Sequence, residues 1–249
     1  MIALLSPAKT LDYETPLPSL QTTKPVFVDE AEMLARSAAR LSQKRLRTMM
    51  NISPALAKLN HDRFACFGDV PERPALFAFA GDVYHGLVAA TLDDTAVNFA
   101  QDHLRMLSGL YGLLRPLDLM RPYRLEMGTR WAPRRDRLTD WWGDRIARAL
   151  LGDLAAEGSA TVLNLASQEY WAAVDGRLPD SVRVIAADFR EGPDRRFISF
   201  NAKRARGAMA RWLAEYRVAD PVGMQAFDWE GYRFVAAESD AGRWRFVRG

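Results

Sequence analysis

Short apolar runs along the chain alternate with segments of helical periodicity. The runs at residues 2–6, 75–79, 160–167 and 181–189 are typical of buried strands, and RFISF at 196–200 is a further candidate. Residues 232–248 alternate between apolar and polar positions on either side of Asp-Ala-Gly, which predicts a closing hairpin. The pattern therefore predicts a protein of mixed helices and strands.

The helical segments are bounded by residues that favour helix starts. Asp29, Ser53, Asp94 or Thr95, and Thr139 are N-cap candidates, and Pro54 suits a first helical position. The predicted helices cover residues 30–40, 54–64, 83–90, 94 onwards, 139–154, 167–174 and 201–217.

Strands and helices follow one another without a clean strand–helix–strand rhythm. No internal repeat, low-complexity tract or obvious linker interrupts the 249 residues. We predict an α+β (mixed α/β) fold in a single compact domain over residues 1–249. The alternative is a separate helical lobe formed by residues 30–70.

Residues 103–128 interrupt a helical pattern with two closely spaced glycines. Leu107-Ser108-Gly109-Leu110-Tyr111-Gly112 fits the hairpin of a helix-hairpin-helix element over about residues 95–120. The free N–H groups at the start of the second helix could hold a phosphate, with Arg115 adding a contact. The alternative is a plain turn between two core helices, with Gly109 as a C-cap.

Composition narrows the classes of protein. The formal net charge is +3, so strong attraction for a polyanion would need local clustering. One cysteine and three scattered histidines offer no metal spacing, and we expect neither a metal nor a cofactor. No segment is apolar enough to span a bilayer and the first residues do not resemble a signal peptide, so we expect a cytoplasmic protein with no membrane partner.

Seven basic residues lie between positions 195 and 217, against one glutamate. On the predicted helix, Lys203 and Arg206 share one face, while Arg204 and Arg211 share another. This arrangement could follow a phosphate backbone, or it could be an ordinary solvated face.

Several chemically capable side chains lie near predicted element ends. They are Lys9, Asp82, Tyr84, Ser108, Asp118, Arg124, Glu126, Asn164, Ser167, Tyr170 and Lys203. Some of them have an ordinary structural alternative: a solvated side chain for Lys9, an N-cap for Ser167, and an ion-pair network around Asp118 and Glu126. No serine-protease order, Walker loop or dinucleotide fingerprint is present.

Five motifs together resemble the YaaA family of peroxide stress proteins: LLSPAKTLDY, FAGDVYHGL, the block from FAQDHLRM to RLEMG, NLASQEY and AKRARGAMAR. The resemblance covers about residues 2–235. It implies a role in the bacterial response to hydrogen peroxide, lower free intracellular iron, protection of DNA, and a basic cleft with a helix-hairpin-helix element that binds duplex, bubbled or branched DNA.

Two functions remain open. The first is DNA binding with little sequence preference, through Ser108, Gly109, Tyr111, Gly112 and Arg115 and through Lys203, Arg204, Arg206 and Arg211. The second is an enzyme acting on a nucleobase or damaged nucleotide, in which Lys9 or Lys203 attacks a sugar carbon with help from a carboxylate. That hypothesis predicts both lysines in one pocket. The oligomeric state is not predicted.

Overall fold

A seven-stranded sheet forms the centre of the molecule in the computed structural model, which describes residues 1–249. Its strand order is β4-β3-β1-β6-β7-β9-β8. The five central strands run parallel, while β4 and β8 pair antiparallel at the two edges. The strands are β1 (Ile2–Leu5), β3 (Leu104–Ser108), β4 (Gly112–Leu114), β6 (Thr161–Asn164), β7 (Arg183–Glu191), β8 (Arg233–Phe234) and β9 (Arg243–Arg248).

A two-stranded sheet of β2 (Arg73–Pro74) and β5 (Leu119–Met120) lies apart from the large one. The helices are α1 (Val28–Ala38), α2 (Gln43–Met50), α3 (Pro54–Ala65), α4 (Ala75–Ala78), α5 (Asp82–Leu87), α6 (Asp94–His103), α7 (Leu138–Trp142), α8 (Arg145–Glu157), α9 (Gln168–Trp171) and α10 (Ser199–Tyr216). The mixed α/β class is therefore confirmed, although the irregular order of elements did not indicate a parallel sheet.

Local caps explain why several predicted helices are found nearly where expected. The Ser53 side chain accepts a hydrogen bond from the backbone of Leu56 at the start of α3, with Pro54 in the first turn. Asp93 caps α6 in the same way, one residue before the predicted start. The closing hairpin is also confirmed, because β8 and β9 pair antiparallel.

Three element predictions are wrong. Residues 75–79, expected as a strand, form the short helix α4, and residues 196–200 are not a strand because α10 already begins at Ser199. The helix expected from Thr139 to Leu154 is two helices. Gly143, with a φ of 51°, separates α7 from α8.

The helix-hairpin-helix prediction for residues 95–120 is wrong as well. Helix α6 ends at His103, and the next residues form the antiparallel hairpin of β3 and β4, in which Ser108 pairs with Gly112. The alternative of a turn between two helices is also wrong. β3 lies beside β1, with Leu4 opposite Arg105, so partners distant in sequence select the strand.

The glycines of this hairpin are required by packing in the core. A Cβ on Gly109 would lie 2.1 Å from the carbonyl oxygen of Leu125, and a Cβ on Gly112 would lie 2.8 Å from the Trp142 ring. The indole nitrogen of Trp142 donates to the carbonyl of Gly109 at 3.0 Å. The turn therefore has no space for a phosphate.

One hydrophobic cluster connects the large sheet with the N-terminal helices. Ala31 and Leu34 of α1, Leu46 of α2 and Phe64 of α3 belong to it together with the strands. Residues 30–70 thus contribute to the core of the sheet rather than to a core of their own. No helix combines the length and the apolar character needed to cross a membrane.

Helix α10 is held against α5 by two glycines. A Cβ on Gly207 would lie 1.7 Å from the carbonyl oxygen of Val83, and a Cβ on Gly86 would lie 2.0 Å from that of Arg204. This close approach fixes the basic face of α10 next to the loop that precedes α5.

Candidate functional site

An open cleft of about 1060 Å³ lies where β1, β6 and β7 end. Its walls include the loop after β1 (residues 6–10), the loop after β6 (residues 165–167) with the short helix α9, and the first turns of α10. β1 and β6 are neighbours in the sheet, but the strand that follows β1 in the sheet, β3, lies on one side of this pair, and the strand that follows β6, β7, lies on the other side. Open α/β sheets bind their ligands in the crevice created by such a reversal of direction.

Hydrogen bonds join the two loops at this crevice. The backbone N–H of Ser167 donates to the Ser6 hydroxyl at 2.9 Å, and the two hydroxyls lie 3.3 Å apart. Beneath them, the Tyr84 hydroxyl donates to the carbonyl of Ser6 at 3.1 Å. Burial raises the pKa of Tyr84 well above its usual value, so it remains a protonated support for the floor of the cleft.

The two candidate lysines line the same cleft, each beside a carboxylate. Lys9 Nζ lies 3.0 Å from Glu126 Oε1, which also accepts a hydrogen bond from Arg124 at 2.9 Å. Lys203 Nζ lies 3.2 Å from Asp82 Oδ2. The structure thus brings together four residues that the sequence placed in separate motifs.

The arginines of α10 have different environments. Arg206 lines the cleft. Arg204 lies outside the cleft lining, over the rings of Phe200 and Trp229. Arg211 donates to the carbonyl of Leu87 at 3.1 Å and to the Thr91 hydroxyl at 2.6 Å, so it holds α10 against the end of α5 and the residues that follow it.

The hairpin residues proposed as phosphate contacts lie in the interior. The Ser108 hydroxyl lies 2.6 Å from the Tyr123 hydroxyl and accepts from the backbone of Tyr111 at 2.8 Å. Tyr111 is buried and its hydroxyl accepts from the backbone of Arg121 at 2.9 Å. These groups already satisfy one another, so Ser108, Gly109, Tyr111 and Gly112 are not part of the site.

Asp118 and Arg115 form a structural unit away from the cleft. Asp118 is almost fully buried and accepts from the Thr23 hydroxyl at 2.6 Å and from the backbone of Arg115 at 2.8 Å. Burial raises the pKa of Asp118 against the opposing effect of these hydrogen bonds. The geometry gives both residues a role in shaping the loop.

Sequence reasoning missed several lining residues. Asp188 and Arg190 come from β7, where the Arg190 Nε donates to Asp188 Oδ1 at 2.7 Å. Because side chains alternate along a strand, positions 186, 188 and 190 lie on one face of β7. This two-residue spacing in the sequence could have identified Asp188 and Arg190 as neighbours on the same face. Phe197 and Arg243 also line the cleft.

The cleft carries a modest excess of positive charge. Five basic and three acidic side chains line it: Lys9, Arg190, Lys203, Arg206 and Arg243, with Asp82, Glu169 and Asp188. No group of three or more His, Cys, Asp or Glu side chains is placed to hold a metal ion.

Comparison with known proteins agrees with the sequence motifs. The family model described as peroxide stress protein YaaA matches residues 1–238. The chain belongs to the YaaA family. This membership links it to the peroxide stress response.

Similar proteins match this chain over its full length. A UPF0246 protein of Rhizorhabdus wittichii is 57% identical over 251 residues, covering 100% of this chain and 99% of that protein. UPF0246 proteins of Jannaschia sp. and Bordetella petrii are 49% and 46% identical, each over 100% of this chain and over 97% and 99% of their own lengths.

Proposed function

We propose that this member of the YaaA family binds DNA during peroxide stress, with little sequence preference, at the mouth of the cleft. Duplex, bubbled or branched DNA would be held through its phosphates by Lys9, Lys203, Arg204, Arg206 and Arg243. The excess of basic over acidic side chains in the lining supports this assignment.

The observation that carries the proposal is that two exposed aromatic rings around the start of α10 each lie beside an arginine. Phe197 is 50% exposed and Phe200 is 54% exposed, and both precede Lys203. The guanidinium of Arg190 lies 5.4 Å from the ring of Phe197, and that of Arg204 lies 5.9 Å from the ring of Phe200. Such surfaces contact phosphates with their cations and unpaired bases with their rings.

The test is fluorescence anisotropy with a labelled duplex and with the same duplex carrying a central bubble, over a range of salt concentrations. The five cations give a log–log salt slope of about −4.5 with the duplex, and Lys203→Gln should reduce the magnitude of that slope by about 1. Phe200→Leu should weaken binding of the bubble more than binding of the duplex.

Tyr216→Leu is the matched aromatic control, because Tyr216 is 66% exposed at the far end of the same helix. It should leave both affinities unchanged. A salt slope near zero, or equal losses for Tyr216→Leu and Phe200→Leu, would contradict the proposal.

The proposed protection of DNA includes an indirect effect on free iron. The sequence holds no helical Glu-x-x-His set of the kind that hard iron sites use. Measurement of iron bound to the purified protein tests this directly. Tight stoichiometric binding would show that the effect is direct.

A second candidate function, an enzyme acting on a damaged nucleotide, is favoured by the presence of Lys9 and Lys203 in one cleft beside Glu126 and Asp82. The free amine of a lysine would attack the aldehyde carbon of an abasic sugar, lose water and form an imine. Borohydride would reduce that imine to a stable amine that joins protein and DNA. A covalent adduct lost in Lys9→Met or Lys203→Met would establish this chemistry, and its absence from the native protein would exclude it.

A further inference from the structure

Arg206 is a partly buried cation without a partner. Its side chain projects from α10 into the wall of the cleft, yet it forms no hydrogen bond or ion pair, and its Nε is shielded from solvent with no acceptor. Burial lowers the pKa of Arg206, although the charge of Asp188 acts in the opposite direction. A guanidinium stays protonated under such conditions, so its charge has no ion-pair partner within the protein.

The neighbouring carboxylate is already occupied by other arginines. Arg190 Nε donates to Asp188 Oδ1 at 2.7 Å, and Arg245 Nη2 donates to Asp188 Oδ2 at 3.1 Å. Both oxygens of Asp188 therefore have a charged donor. A partly buried cation without a carboxylate is costly, and an anion in the cleft would supply the missing opposite charge at the terminal guanidinium nitrogens.

The surroundings of Arg206 resemble a small-molecule site more than a flat surface. Lys203 lies one helical turn earlier and also lines the cleft, as does the unpaired Arg243. The cleft volume of about 1060 Å³ is close to the upper end of the range for small-ligand pockets. Phe197 adds an exposed aromatic surface to the same wall.

We propose that the cleft binds a free phosphate ester of nucleoside monophosphate size, with its phosphate on Arg206. The planar guanidinium fork matches two phosphate oxygens, and Lys203 supplies a second positive charge. The exposed ring of Phe197 offers a stacking face for a planar base. This site does not depend on DNA binding, although a phosphate of a DNA strand has the same chemistry and could compete for Arg206.

Calorimetric titration of the native protein with adenosine monophosphate, adenosine and inorganic phosphate tests the inference. Adenosine monophosphate should bind, while adenosine without phosphate should bind at least tenfold more weakly. Arg206→Gln should weaken nucleotide binding at least tenfold. Arg206→Lys retains the positive charge but loses the planar fork, so its affinity should lie between those of Arg206→Gln and the native protein. Arg196→Gln is the matched control, because Arg196 is an exposed arginine outside the cleft, and its affinity should stay within twofold of native.

Several results would overturn the inference: no heat with millimolar nucleotide, equal affinity for adenosine, or full affinity in a folded Arg206→Gln protein. Displacement of labelled DNA by the nucleotide separates the two sources of phosphate. DNA binding that persists without any nucleotide binding would leave the proposed function standing and refute this site. Nucleotide binding without DNA binding would support this site and refute the proposed DNA binding.

Discussion

Substitution of Gly112 by alanine tests whether the β3–β4 hairpin is packed inside the protein. Gly112 has a φ of 67°, and an added Cβ would lie 2.8 Å from the Trp142 ring and 3.0 Å from the Phe27 ring. The left-handed backbone costs an alanine about 1 kcal/mol, and overpacking of a core adds about 1–3 kcal/mol. We expect Gly112→Ala to lower the free energy of unfolding by about 2–4 kcal/mol.

Gly158→Ala separates these two contributions. Gly158 has a φ of 79°, but no heavy atom lies within 4 Å of its added Cβ. This substitution should cost only the backbone contribution of about 1 kcal/mol. The difference between the two variants, about 1–3 kcal/mol, therefore measures the packing of the hairpin.

The assay is urea unfolding followed by tryptophan fluorescence, with the unfolding free energies extrapolated to water. Equal losses for Gly112→Ala and Gly158→Ala would refute the reasoning. They would mean that Trp142 does not cover Gly112, and the turn would again be accessible to a phosphate.

Three further outcomes are expected. Gly207→Ala should lower the free energy of unfolding by several kcal/mol, because the added Cβ would meet a backbone carbonyl of α5 that cannot move alone. Gly152→Ala is the control: its Cβ has open space in α8, so it should raise the free energy of unfolding by about 0.5–1 kcal/mol in the same assay. Arg206→Met should raise the stability of the ligand-free protein by about 1 kcal/mol in urea unfolding, since it removes a charge without a partner and a shielded Nε–H without an acceptor. Burial raises the pKa of Glu191, but hydrogen bonds from Tyr232 and Arg248 lower it overall. The Glu191 carboxylate therefore stabilises the folded protein above about pH 4.5, and this stabilisation is lost as the pH falls through the folded pKa. Between pH 6 and pH 3, the melting temperature should therefore fall less steeply for Glu191→Gln than for the native protein.

Local chemistry was enough to predict many elements. The Ser53–Pro54 start of α3 and the long basic helix α10 depend on caps and periodicity within a few residues. The hairpin of residues 103–114 could not be predicted in this way, because two glycines three apart suit a helical turn and a strand turn equally. Its pairing with β1, about a hundred residues away in sequence, decides between them.

The candidate site was predicted as separate residues rather than as one place. Lys9, Asp82, Ser167 and Lys203 were recognised from their positions near element ends, and all four line the cleft. The order of strands in the sheet brings these distant segments together, and that order depends on long-range packing. The absence of an acceptor for Arg206 follows from the occupation of Asp188, which no local pattern reports.

The pairing of charges in the cleft gives its cations different roles. Lys9 and Lys203 are partly exposed and each pairs with a carboxylate, and such pairs contribute about 0–1 kcal/mol. Either lysine can therefore exchange its carboxylate for a phosphate with little loss or gain. Arg206 has no partner to exchange, so an anion that reaches it gains a charge-assisted hydrogen bond without breaking another. We thus expect the lysines to determine the salt dependence of a bound polyanion, and Arg206 to determine the affinity for a single phosphate group.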